Sequence, residues 1–138
     1  MLHGAAWFLP AVKGMWGGLT HPARGWAAFC LAAGEVWPGS DGFFNNWHGS
    51  VLAAASVVTT IWFIVGSPWV VLRGSRPQQR ASAWIAAAAF LVNAHWYVFR
   101  RVESWIVLDL AIGYFVWWWS FALLAIGLFD LAARKRGN

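Results

Sequence analysis

The residues of this chain best suited to chemistry flank one charged corner, Arg100-Arg101-Val102-Glu103-Ser104. Asn93, His95 and Tyr97 precede it, and Asp109 follows it. If the apolar runs on either side are helices, a rise of 1.5 Å per residue puts His95 and Asp109 at nearly the same depth, each roughly 6–8 Å from the corner. In an apolar setting an imidazole and a carboxylate each favour the neutral form unless they partner one another. Such a pair suits a proton relay or a polar ligand site, and ionisable groups at membrane depth point to function by default. The bland alternative is a buried structural pair. Asn93 and His95 sit about 200° apart on a helix, so they do not share one site. Asn93 reads instead as a helix–helix hydrogen bond.

The elements around this corner are set by composition. The 138 residues are 60% hydrophobic, 18% aromatic and only 11% charged, against about 25% charged in ordinary soluble domains. So few charges cannot cover a globular surface. The pattern predicts an all-α fold, a single integral membrane helical bundle with four transmembrane helices at about 22–37, 50–72, 81–99 and 105–132. The first is the weakest, roughly 24 Å from Pro22 to Trp37. Three spans plus an interfacial or re-entrant segment is therefore the alternative. Residues 1–20 mix Trp7, Phe8 and Trp16 with Lys13 and the breakers Pro10, Gly14, Gly17 and Gly18. They read as an interfacial segment. Without a basic n-region, and with Pro10 and Lys13 interrupting it, the start of the chain is not expected to be a signal peptide.

Within the spans, Ser56, Thr60, Phe63 and Ser67 fall on one face of the second, and Gly66-Ser67-Pro68 suggests a kink. Arg73 to Arg80 reads as a short polar loop. The fourth span would measure about 40 Å, so it must tilt or project into water. Its Asp109, Gly113, Ser120 and Gly127 form a small, polar stripe expected to face other helices. The row Trp117-Trp118-Trp119 points around the whole helix, so at least one ring should meet lipid. Asp130 and Arg134 have the spacing of a surface pair.

With both termini cytoplasmic, four spans place Lys13, Arg24, Arg73, Arg76, Arg80, Arg134, Lys135 and Arg136 inside and only Arg100 and Arg101 outside. That division obeys the positive-inside rule and suits the inner (plasma) membrane of a bacterium. A three-span chain scores six against four. The outer end of the four-span bundle collects Glu35, Asp41, His48, Asn93, His95, Glu103 and Asp109.

From this the leading expectation is transport of a small solute, ion or proton, or ligand binding. His95, Asp109, Asn93, Glu35 and Tyr97 are the candidate residues. The alternatives are a membrane enzyme acting on a lipid or isoprenoid-like substrate, a haem- or metal-binding module, and an accessory subunit of a membrane complex. A haem or a transition metal would fall to His48 and His95, although no HxH, HxxxH or CxxCH spacing points to one. Lone Cys30 forbids an internal disulfide. The basic residues lie at helix ends, where topology explains them, so the expected partners are the lipid bilayer and copies of the chain or a larger complex, with no nucleic acid.

Overall fold

The computed structural model describes residues 2–12, 23–36, 47–102 and 110–134. They form helices α1 (Leu2–Ala6), α2 (Gly25–Val36), α3 (Trp47–Arg73), α4 (Arg76–Asn93), α5 (His95–Val102) and α6 (Ile112–Arg134), plus one antiparallel strand pair, β1 (Pro10–Val12) and β2 (Ala23–Arg24). The chain is helical, as its composition predicts. Ser50–Arg73 and Ile112–Arg134 are long and apolar enough to cross a membrane, at roughly 36 and 35 Å. Among the described residues only these two pass on both length and apolarity. The 12 residues of α2 extend roughly 18 Å, too short to cross alone.

Packing in the bundle sets mostly small and polar residues inside, around the buried Phe121 and Leu128. Ser56, Thr60 and Ser67 of α3 point inward, as do Ser82, Ala83, Ala86 and Ala89 of α4 and Ser120 and Ala125 of α6. Large apolar side chains point outward, among them Val65 (69% exposed), Leu91 (71%) and Ile126 (65%). Small inward residues let helix axes approach closely, which is how helices associate where the surroundings are themselves apolar. α4 packs most extensively on α6 and next on α3. The α3–α4 turn is tight, because Gly74 N–H donates back to the Val70 carbonyl at 2.9 Å and Ser75 N–H to the Gln78 side chain at 2.8 Å. Pro77 then sits in the first turn of α4, where a missing N–H costs nothing. The polar loop expected over Arg73–Arg80 thus shrinks to Gly74-Ser75. α3 continues through Pro68, and Ser67 donates to the Phe63 carbonyl one turn back at 2.5 Å.

Three expectations are corrected by backbone pairing. The helix expected from Trp105 begins at Ile112. Leu110 bridges to Val12, and Ala111 N–H donates to the Ala11 carbonyl at 2.8 Å. That leaves both residues extended, while 105–109 lie outside the described residues. The helix expected over Ala81–Phe99 breaks at Ala94. Last, Pro10 pairs with Arg24 while Val12 reaches Leu110. Arg24 and the start of α6 therefore share one end of the bundle, whereas four spans would have put them at opposite ends.

Residues 2–12 are built into the bundle. α1 packs on α6, and His3, Ala6, Ala11 and Val12 are buried. Gly113 makes this approach possible: a Cβ there would lie 2.7 Å from the Pro10 carbonyl oxygen and 2.9 Å from that of Leu9.

Candidate functional site

The break at Ala94 is one residue long, since Ala94 N–H still donates to Phe90 O as in a continuous helix, and each of the last carbonyls of α4 has a donor. Phe90 O receives Ala94 N–H at 3.2 Å and the Trp118 indole N–H at 2.7 Å. Leu91 O receives Ala94 N–H at 3.2 Å. Val92 O receives His95 Nδ1–H at 2.6 Å, and Asn93 O receives the Tyr114 hydroxyl at 2.7 Å. Alanine is the best helix former, so the break is held from outside α4, by aromatic donors on α6. Unpaired backbone groups in an apolar interior are costly.

Asn93 lies at the centre of this arrangement and is wholly buried, with 0% exposure. Its amide donates to Thr59 Oγ1 at 3.2 Å and to the Ala89 carbonyl at 2.8 Å. Its carboxamide oxygen has no hydrogen-bond partner among the described residues. The helix–helix bond expected of Asn93 is therefore present, in addition to a bond to its own helix. Around it, Trp96 Nε1 donates to Ser56 Oγ at 3.1 Å and Trp117 Nε1 to Thr60 Oγ1 at 3.2 Å. The polar face read on the second span is the face that accepts these indoles. Trp118 stacks on Phe90 with centroids 4.8 Å apart, and Tyr97 lies 6.2 Å from the rings of both Phe115 and Trp118. Of the three consecutive tryptophans, Trp119 faces outward at 54% exposed.

His95 is half-buried beside Trp96, with ring centroids 4.5 Å apart. Asp109 lies outside the described residues. Glu35 and His48 stand on α2 and α3, with side chains outside what is described. The structure thus brings together Asn93, Thr59 and Tyr114. Among the described residues no three His, Cys, Asp or Glu side chains gather where they could hold a metal. Of the stripe on α6, Gly113 and Ser120 face the bundle and Gly127 faces out.

A second polar point, absent from the sequence reading, is His3. It is 6% exposed, stacked on Phe63 at 3.9 Å and edge-on to Phe121 at 5.7 Å. Ser120 spends its hydroxyl proton on the Trp117 carbonyl at 2.5 Å. Its oxygen must then accept from His3 Nδ1–H across 2.8 Å, which assigns the Nδ1–H tautomer and leaves a lone pair on Nε2. That atom has no partner among the described residues. α1 lies outside both long apolar helices, and burial pushes the imidazole down to about 4. Nothing in the local pattern around His3 signals this, since its partners are 60 and 117 positions away.

Fold and site together define a small, tryptophan-rich helical bundle with two helices long enough to cross a membrane and a buried polar cluster at a helix break. No protein-family model, no curated protein and no solved structure matches this chain.

Proposed function

We propose that the chain is an integral membrane protein that binds a small polar solute or a proton at the broken end of α4 and passes it along the bundle. The observation that carries this is Asn93, a wholly buried carboxamide whose oxygen has no hydrogen-bond partner among the described residues. Interrupted helices that offer polar groups inside a membrane bundle are typical of solute sites. The packing, with mostly small and polar residues inside and many large apolar ones outside, supports the bilayer as the surroundings.

In this reading α3, α4 with α5, and α6 cross the bilayer, while residues 2–12 and 23–36 pack in from the outer end without crossing. Arg73, Arg76, Arg80 and Arg134 then collect at one end and Arg24, Arg100 and Arg101 at the other, a small excess toward a cytoplasmic end at Arg134. His95 stands two residues past Asn93, at the outer mouth of this path.

The test is flux into liposomes carrying the purified chain, read with a pH dye for protons and by stopped-flow swelling for neutral solutes. Flux should exceed that of empty liposomes, and Asp109→Asn should abolish it while leaving the helical content unchanged. Flux equal to that of empty liposomes would remove the reading.

A further inference from the structure

Helix α4 carries a second buried carboxamide, at the end away from its break. Gln79 is 0% exposed, as Asn93 is. Its Nε2–H donates to the Gly74 carbonyl at 3.1 Å, just as Asn93 Nδ2–H donates to the Ala89 carbonyl at 2.8 Å. A carbonyl only accepts, so each amide must turn its nitrogen toward it and its oxygen elsewhere. At Asn93 the orientation is fixed twice, because Thr59 gives its hydroxyl proton to the Ala55 carbonyl at 2.8 Å and its oxygen is left to accept. Both remaining atoms, Gln79 Oε1 and Asn93 Oδ1, are closed off from the surface and have no hydrogen-bond partner among the described residues. The two residues are 14 positions apart, about 40° short of four full turns, so they share one face of α4 roughly 21 Å apart. Between them α4 buries Ser82, Ala83, Ala86 and Ala89.

We propose that Gln79 is a second binding residue of the solute path, and that the solute is a small neutral molecule that donates hydrogen bonds. This rests on the path proposed above and names what it carries. Each carboxamide offers a bare acceptor, and a buried acceptor left unmade is costly. A donor on the solute completes the missing bond at both places, whereas a solute that only accepts would set oxygen against oxygen. Neutrality follows from the surroundings. No Asp, Glu, Lys or Arg is buried among the described residues, so an ion inside would lack a counter-charge in an apolar interior. The buried side chains of α4 between the two carboxamides are no larger than serine, so none of them stands as a bulky barrier from one to the other.

The experiment is stopped-flow swelling of liposomes carrying the full chain, with two neutral probes of similar size. Urea donates hydrogen bonds, and trimethylamine N-oxide only accepts them. Guanidinium, which shares the shape and donors of urea but carries a charge, is followed by radiotracer uptake. Urea should enter about fivefold or more faster than into empty liposomes, the factor one neutral hydrogen bond contributes. Trimethylamine N-oxide and guanidinium should enter no faster than into empty ones. Gln79→Met, close in length but without the acceptor, should slow urea about fivefold, with circular dichroism confirming unchanged helix. The selectivity of the wild-type chain tests the proposal whether or not that variant folds: acceleration of trimethylamine N-oxide or guanidinium equal to that of urea overturns it. Undiminished urea entry through folded Gln79→Met also overturns it, and is the result expected if the oxygen holds only a fixed water. Failure of the path itself reads differently, since no probe would then enter faster than into empty liposomes, and the proposal falls with it.

Discussion

Gly113→Ala is the sharpest probe of how residues 2–12 join the bundle. The new methyl would stand 2.7 Å from the Pro10 carbonyl oxygen and 2.9 Å from that of Leu9, inside ordinary van der Waals contact. Neither oxygen moves easily. Leu9 O accepts Gly25 N–H at 3.1 Å, and Ala11 O next to Pro10 accepts Ala111 N–H at 2.8 Å. Relief requires shifting a paired backbone, and such overpacking costs about 1–3 kcal/mol. Alanine over glycine in a helix returns at most about 1 kcal/mol, and less in a first turn such as this. The net expectation is a loss of about 1–2 kcal/mol. Gly127→Ala is the control: the same substitution in the same helix meets open space and should gain about 0.5–1 kcal/mol. Unfolding by sodium dodecyl sulfate titration, followed by the fluorescence of the 13 tryptophans, measures both. Equal shifts of one sign for the two variants would refute the clamp of β1 on α6.

Other substitutions test the site. Tyr114→Phe removes the hydroxyl that satisfies Asn93 O, with an expected loss of about 0.5–1.5 kcal/mol and faster amide exchange around Ala94. Asn93→Leu trades two hydrogen bonds for removal of an unpartnered oxygen, so stability should stay within about 1 kcal/mol while solute flux is lost; intact flux would detach Asn93 from function. For His3, the folded pKa of about 4 lies below its ordinary 6.5, so between these values the unfolded chain binds the extra proton. Its contribution is full above about pH 6.5 and falls as pH drops toward 4, by roughly 1.4 kcal/mol per unit. His3→Phe should flatten that slope in the same titration. Asp130→Asn breaks an exposed i,i+4 pair and should change stability by no more than about 0.5 kcal/mol.

Parts of this arrangement were legible because they are local. Ser56, Thr60 and Ser67 recur at helical spacing among larger apolar residues, and the contrast in size alone assigns them to the interior. The Asp130–Arg134 pair needs nothing beyond its spacing. The start of α6 was not legible, because the apolar sequence from Trp105 is interrupted only by Asp109, with no proline to mark a helix start. What ends the helix there is pairing of Leu110 and Ala111 with residues about 100 positions earlier. The same long-range pairing brings Arg24 to the end where a charge count over four spans had no place for it. His3 was hidden for the same reason, as one imidazole in a Gly- and Ala-rich stretch without periodicity.

The break at Ala94 shows how far tertiary donors override local propensity. Ala94 lies between Asn93 and His95, with no proline or glycine nearby to interrupt the helix. The Tyr114 hydroxyl takes Asn93 O, which a continuous helix would give to Tyr97 N–H, whereas Phe90 O accepts the Trp118 indole beside its ordinary helical partner, Ala94 N–H. With this interruption both donors and all four of the last carbonyls are satisfied. Aromatic residues on α6 therefore serve twice, filling the space against Phe90 and completing the backbone of another helix. This explains why the Tyr114–Trp118 stretch sits beside the Asn93 end. That end is finished by protein donors.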